Sequence, residues 1–167
     1  AETAAGGYPK NSVETMAEVC LEAEKNPIAK MSHHRLNESF EYVDETIAMS
    51  AMYAANHLGA TVVASLTETG KTAMWMSRIS SNVSIYAMSD NVQTLRKVTL
   101  YRGVYPCGID KDTNTEWSEV NRKVVDTLTN RGVVESGDLV VLTKGMYKDK
   151  SGGTNMMKIL RVGDANY

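Results

Sequence analysis

Between residues 60 and 162, short apolar runs rich in β-branched residues alternate with stretches of helical periodicity, and that rhythm constrains the fold more than any other feature. Thr61-Val62-Val63-Ala64-Ser65-Leu66 is too continuously apolar for a half-exposed strand and predicts one covered on both faces. Gly70 to Ser80 then predicts a helix carrying Ala73, Met74, Met76 and Ile79. Val83 to Met88 reads as a second strand, and Asp90-Asn91 as the cap of a helix holding Leu95 and Val98. Val104 to Ile109 is a third, weaker strand, and Thr113 with Glu116 has capping-box spacing before a helix of about 115–130. Gly137-Asp138 turns into the strand Leu139 to Thr143, and a last strand of about 155–162 follows Ser151-Gly152-Gly153.

Strand–helix alternation implies parallel strands joined by crossovers with helices on both faces, hence a three-layer α/β/α fold on a mostly parallel five-stranded sheet. Only a loop separates the last two strands, too short for a crossover, so the final strand is expected antiparallel at the edge. Lys158 and Arg161 suit such an edge, where charge discourages stray pairing.

Two helices are expected upstream. Asn11 and Glu14 have capping-box spacing ahead of Val13, Met16, Ala17, Cys20 and Leu21, which predicts an amphipathic helix over 11–25 that ends before Asn26-Pro27. Without a larger body to cover it, its apolar stripe is expected to dock on another copy or on its own domain, or to fray. The polar run Ser32-His33-His34-Arg35 connects to a helix of 42–58 with small and flexible residues at Met49, Ala51, Met52, Ala54 and Ala55, closed by Gly59. The opening Ala1-Glu2-Thr3, without an initiator Met, suggests a piece of something longer.

With 43% hydrophobic and 23% charged residues the chain is expected to fold rather than stay disordered. A net charge of −2 supplies no basic field for nucleic acid or for an anionic membrane. No basic leader segment and no apolar run near the length of a membrane span occurs, so neither a signal peptide nor a transmembrane helix is expected. Cys20 and Cys107 have no ligand-spaced companions, which fits free thiols in a reducing cytoplasm.

The sharpest chemical feature is Thr67-Glu68-Thr69-Gly70-Lys71-Thr72, where the first buried strand meets its helix. Hydroxyls, a flexible Gly and a cation at the carboxyl end of a strand make an anion nest suited to phosphate. It is not a Walker A loop, because the upstream Gly and the spacing before Gly-Lys-Thr are missing. A simple helix cap is the plain alternative. The segment Lys144 to Gly153 leaves the fourth strand on the same side of the sheet, and its Lys148 and Lys150 could close over the same ligand; a solvated hairpin loop is the alternative. His33, His34 and His57 accompany no nucleophile elbow and no His-Glu-x-x-His, and the acids are dispersed, so no self-contained active site is evident.

These segments, in this order, resemble the pyruvate kinase family. Ala1 to Pro9 resembles the last loop of its catalytic barrel, and Thr67 to Ala73 its effector phosphate loop. Leu100-Tyr101-Arg102-Gly103-Val104 resembles its Tyr-Arg-Gly segment, and Ser136 to Val140 with Ser151 to Asn155 its closing strands. Ala48 to Leu58 looks closest to the bacterial type II isoforms. The resemblance implies a remnant of the (β/α)8 barrel over 1–40 and an allosteric, oligomer-forming C-terminal domain over 41–167. The parent would transfer a phosphoryl group from phosphoenolpyruvate to ADP in glycolysis, with Mg²⁺ and K⁺ held in the barrel, as a cytoplasmic tetramer. Its second helix and edge strand would make subunit contacts.

The family's catalytic residues precede this chain, so none is carried over, no metal is expected on it, and it is expected to be inactive alone. The resemblance makes Thr67, Glu68, Thr69, Gly70, Lys71 and Thr72 effector-binding, with Lys148, Ser151 and Gly152 in the closing loop. Trp117 and Arg122 are weaker candidates for a second phosphate, because their spacing is about two residues short of the family's, roughly 200° of helical direction. AMP or a sugar monophosphate is therefore expected before a bisphosphate. The competing reading is a freestanding flavodoxin-like enzyme that binds a phosphate or nucleotide.

Overall fold

The computed structural model describes residues 3–26, 39–79, 81–110, 116–145 and 153–164. Among these residues, ten elements follow in order: α1 (Pro9–Glu24), α2 (Val43–Leu58), β1 (Val62–Leu66), α3 (Lys71–Ser77), β2 (Ser84–Ser89), α4 (Val92–Val98), β3 (Val104–Gly108), α5 (Trp117–Asn130), β4 (Leu139–Gly145) and β5 (Thr154–Arg161). The five strands form one sheet in the order β3-β2-β1-β4-β5. β1 pairs parallel with β2 and β4, β2 parallel with β3, and β5 antiparallel with β4, as the loop lengths predict.

Alternation along the strands sends side chains to two separate cores. Val63, Ile85 and Val141 meet Ala48, Ala51, Met52 and Ala55 of α2, Ala73 and Met76 of α3, and Val98 of α4. On the other face Val62, Ala64, Val140, Leu142 and Leu160 meet Val124, Val125 and Leu128 of α5. The three-layer arrangement follows, with one helix covering the second face. Alanines on the buried side of α2 let it approach α3 and the β4–β5 end of the sheet, and the fully buried Met52 and Met76 fill the remaining space. Each such side chain contributes about 1.5–3 kcal/mol by leaving water.

Several boundaries differ from expectation for local reasons. α1 begins at Pro9, whose ring presets the helical φ, so Asn11 and Glu14 lie inside the helix and form no capping box. No residue of α1 is buried, and Val13, Met16 and Leu21 are exposed rather than docked on the domain. Glu116 is itself the N-cap of α5 and makes no side-chain cap bond, so the expected box with Thr113, which lies outside the described residues, is not what starts that helix. Asn91 caps α4 as predicted, accepting from the backbone N–H groups of Gln93 and Thr94 at 2.9 and 3.3 Å. α3 stops at Ser77, shorter than predicted. β4 runs on through Lys144 and Gly145, which the sequence pattern assigns to the following loop.

Candidate functional site

The chain winds outward from β1 to β2 and β3, then returns through α5 to β4 on the opposite flank of β1. The topological switch point therefore lies between the carboxyl ends of β1 and β4, where open α/β sheets gather ligands. Thr67 to Gly70 leaves β1 at that point, and β4 ends there with Thr143, Lys144 and Gly145.

The Thr67–Thr72 turn is tightly specified. Gly70 takes φ 76° and ψ 4°, a left-handed conformation, and its N–H donates to Thr67 Oγ1 at 2.9 Å. The Thr67 N–H donates to Met88 O at 3.0 Å, tying the turn to β2. From α4, Thr94 Oγ1 donates to Glu68 O at 2.6 Å and Lys97 Nζ to Thr69 O at 3.4 Å. Thr72 and Thr154 share a buried hydroxyl–hydroxyl hydrogen bond of 2.7 Å, joining the turn to the first residue of β5. One residue pair deeper, Ser65 and Thr143 face each other across β1 and β4, and their buried hydroxyls find no partner among the described residues.

Sequence reasoning places Lys71 at the anion but misses what it touches. Its ammonium lies 3.0 Å from Asp44 Oδ2, as an ion pair rather than an aligned hydrogen bond, and 4.6 Å from the centroid of the Tyr42 ring. Asp44 is 3% exposed in the first turn of α2, so the ion pair offsets part of the cost of taking its carboxylate out of water. The pairing spans two elements distant in sequence, and no local motif announces it.

Arg122 is exposed on α5, and the cation over the Trp117 ring is a different one, Lys144. Lys144 is 3% exposed, donates to Asn121 Oδ1 at 2.7 Å, and holds its ammonium 4.4 Å from the centroid of the Trp117 ring. Burial pushes its pKa down to about 8, and repulsion from Lys158 adds to the effect. The sequence does carry a signal, because Lys144 continues the spacing of Val140 and Leu142 onto the α5 face. Lys148, Ser151 and Gly152 lie outside the described residues, as do His33 and His34.

Other candidates are accounted for locally. His57 Nδ1 lies 2.9 Å from Tyr53 O, with the two rings stacked. Cys20 is exposed on α1, and burial pushes the Cys107 thiol up, away from the reactive thiolate. Among the described residues no three His, Cys, Asp or Glu side chains gather as a metal site, and no helix is long and apolar enough to cross a membrane.

Comparison with known proteins supplies the family. The profile described as "Pyruvate kinase, alpha/beta domain" matches residues 45–160. The chain is 48% identical over 163 residues to pyruvate kinase II of Salmonella typhimurium and 45% identical over 163 residues to pyruvate kinase of Buchnera aphidicola subsp. Baizongia pistaciae. Each alignment covers 97% of this chain and 34% of the relative. Pyruvate kinase of Haemophilus influenzae is 46% identical over 146 residues, covering 87% of the chain and 30% of the relative. The chain thus spans about a third of the length of the curated relatives it matches.

Proposed function

Since this chain belongs to the pyruvate kinase family, over its alpha/beta domain, we propose that it is the regulatory C-terminal part of a longer phosphotransferase and binds a phosphorylated effector, AMP or a sugar phosphate, at the Thr67–Thr72 turn. One observation carries the reading: a turn bearing three hydroxyls, a left-handed glycine and a lysine stands at the topological switch point. Three of its polar groups are engaged by side chains that a phosphate oxygen can replace: the Gly70 N–H donates to Thr67 Oγ1, the Thr72 and Thr154 hydroxyls share a hydrogen bond, and the Lys71 ammonium pairs with Asp44. Exchanging the Asp44 contact would transmit binding to the start of α2.

On this reading residues 1–40 are the last loop and helix of the catalytic barrel, and the exposed Val13, Met16 and Leu21 are the face turned toward it. The longer, cytoplasmic enzyme would transfer a phosphoryl group from phosphoenolpyruvate to ADP in glycolysis; this chain alone would not. Mg²⁺ and K⁺ would supply charge neutralisation and substrate orientation in the barrel. Family membership leaves the freestanding-enzyme alternative without a supporting observation.

Calorimetric titration of the full chain with AMP, ribose 5-phosphate and fructose 1,6-bisphosphate tests the effector site. We expect Lys71→Ala to weaken the tightest of these about tenfold, the scale of one charge-assisted hydrogen bond after partial compensation. Unchanged affinity would remove the turn from the site. For assembly as a tetramer, exposed Tyr53 and Leu58 on α2 and Ile159 on β5 are the expected contacts. Sedimentation of a Tyr53→Asp, Ile159→Asp double variant of the full-length enzyme should show smaller species, and an intact tetramer would refute this.

A further inference from the structure

Asp44 and Lys71 are unequal partners. The side chain of Asp44 is 3% exposed and that of Lys71 38%, so a buried carboxylate is covered by an ammonium that reaches water. Oδ1 of Asp44 accepts from the Glu45 N–H at 3.1 Å, whereas Oδ2 faces Lys71 Nζ at 3.0 Å without an aligned hydrogen bond. Lys71 starts α3 directly after Gly70, so its charge belongs to the Thr67–Thr72 turn. Asp44 cannot withdraw from it, because α2 is anchored from one turn further on by the fully buried Ala48, Ala51, Met52 and Ala55. The lysine can withdraw, since its long stem ends near the surface, over the Tyr42 ring.

As a stabilising contact the pair is poorly built. A half-exposed partner contributes little in water, while the buried carboxylate bears a large desolvation cost. As a brake on anions it is well placed. Any phosphate oxygen within hydrogen-bonding reach of Lys71 Nζ comes within about 6 Å of Asp44 Oδ2, a distance at which a buried like charge repels it. Two anions therefore compete for one ammonium.

We propose that Asp44 is an autoinhibitory counter-anion: it holds Lys71 in the resting chain, a phosphorylated ligand must take the ammonium from it, and the turn binds phosphate more weakly with Asp44 than without it. The inference rests on the reading of the Thr67–Thr72 turn as the phosphate site. Binding then acts on α2. Once Lys71 turns to the phosphate, a carboxylate almost without exposure loses its counter-charge, and the first turn of α2 must open to let water reach it. The hydrogen bonds at risk run from the Glu45 N–H to Asp44 Oδ1 and from the Thr46 N–H to Tyr42 O, each 3.1 Å. These two amides should exchange faster with ligand bound, the reverse of the protection that binding ordinarily confers.

The test is calorimetry and NMR-detected hydrogen exchange on the full chain with inorganic phosphate and AMP, near neutral pH and at fixed ionic strength. We expect Asp44→Asn, which keeps the side-chain shape and an acceptor for the Glu45 N–H, to bind both about tenfold tighter. Lys71→Met should weaken both. Saturating AMP should speed exchange of the Glu45 and Thr46 amides in the unmodified chain and leave them unchanged in Asp44→Asn. Slowed or constant exchange there in the unmodified chain would overturn the proposal without reliance on any variant. Unchanged or weaker binding by Asp44→Asn would overturn it too, and a simultaneous fall in the urea midpoint would make the pair structural. Binding unaffected by Lys71→Met would remove the phosphate reading of the turn itself, whereas a loss in Lys71→Met without a gain in Asp44→Asn removes only the role of Asp44. Binding of neither probe by the unmodified chain or by Asp44→Asn would remove both.

Discussion

Gly70→Ala is expected to lower stability by about 2–5 kcal/mol, read as a fall in the urea midpoint at unchanged slope. Two independent costs add. At φ 76° a residue with a Cβ loses about 1–2 kcal/mol from its own backbone. The added carbon would also stand 2.8 Å from Val98 Cγ1, and Val98 is fully buried in a close-packed core, where overpacking costs about 1–3 kcal/mol. Gly59, which closes α2 at φ 64° with nothing within 4 Å of the place a Cβ would occupy, isolates the backbone part. Gly59→Ala should therefore fall only about 1–2 kcal/mol. Equal losses at the two sites would mean that the Val98 contact contributes nothing and that the turn can move away from α4.

Lys144→Met should do the opposite near neutral pH, raising stability by about 1–3 kcal/mol. The ammonium titrates at about 8 in the folded chain against 10.5 when free. Between these values the unfolded chain holds a proton that the folded chain has released, so the lysine's contribution to stability rises with pH across that window. It is complete above 10.5 and lost as pH falls through 8, below which the folded chain bears the cost of a buried charge. The methionine variant should lack this slope and exceed the unmodified chain most at pH 7, by the lower end of the range because Asn121 Oδ1 loses its donor. Urea midpoints of both proteins at pH 7, 8, 9 and 10 measure it. A constant difference across the series would place the titration elsewhere.

The strands are legible because they are buried on both faces: Val62-Val63-Ala64 and Leu139-Val140-Val141-Leu142 cannot alternate with polar residues and stay covered by helices on each side. The turn at Thr67–Thr72 is legible too, since Gly and the hydroxylated residues carry local conformational signals. What escapes is pairing over distance. Asp44 and Lys71 belong to different helices, and Lys144 meets Asn121 and Trp117 only after α5 has packed on β4. Lys144 reads as loop because a charge usually ends a strand, whereas here its aliphatic stem extends the apolar row and its head finds a niche under α5. Arg122 enters from the family resemblance, with its spacing from Trp117 already two residues short, and its direction on α5 leaves it in solvent.

The strand order also dictates when the molecule can become whole. β1 is the central strand, and the partner on one of its sides is about eighty residues further along the chain, Val62 meeting Val140. During synthesis β1, β2 and β3 can associate early, but that flank of β1 stays an open, apolar template until β4 leaves the ribosome, and β5 must then cover β4 in turn. Nascent chains arrested before Leu139 would present the unpaired, β4-facing backbone groups of Val62–Leu66 to one another, making this interval the stage most vulnerable to aggregation and most dependent on chaperones.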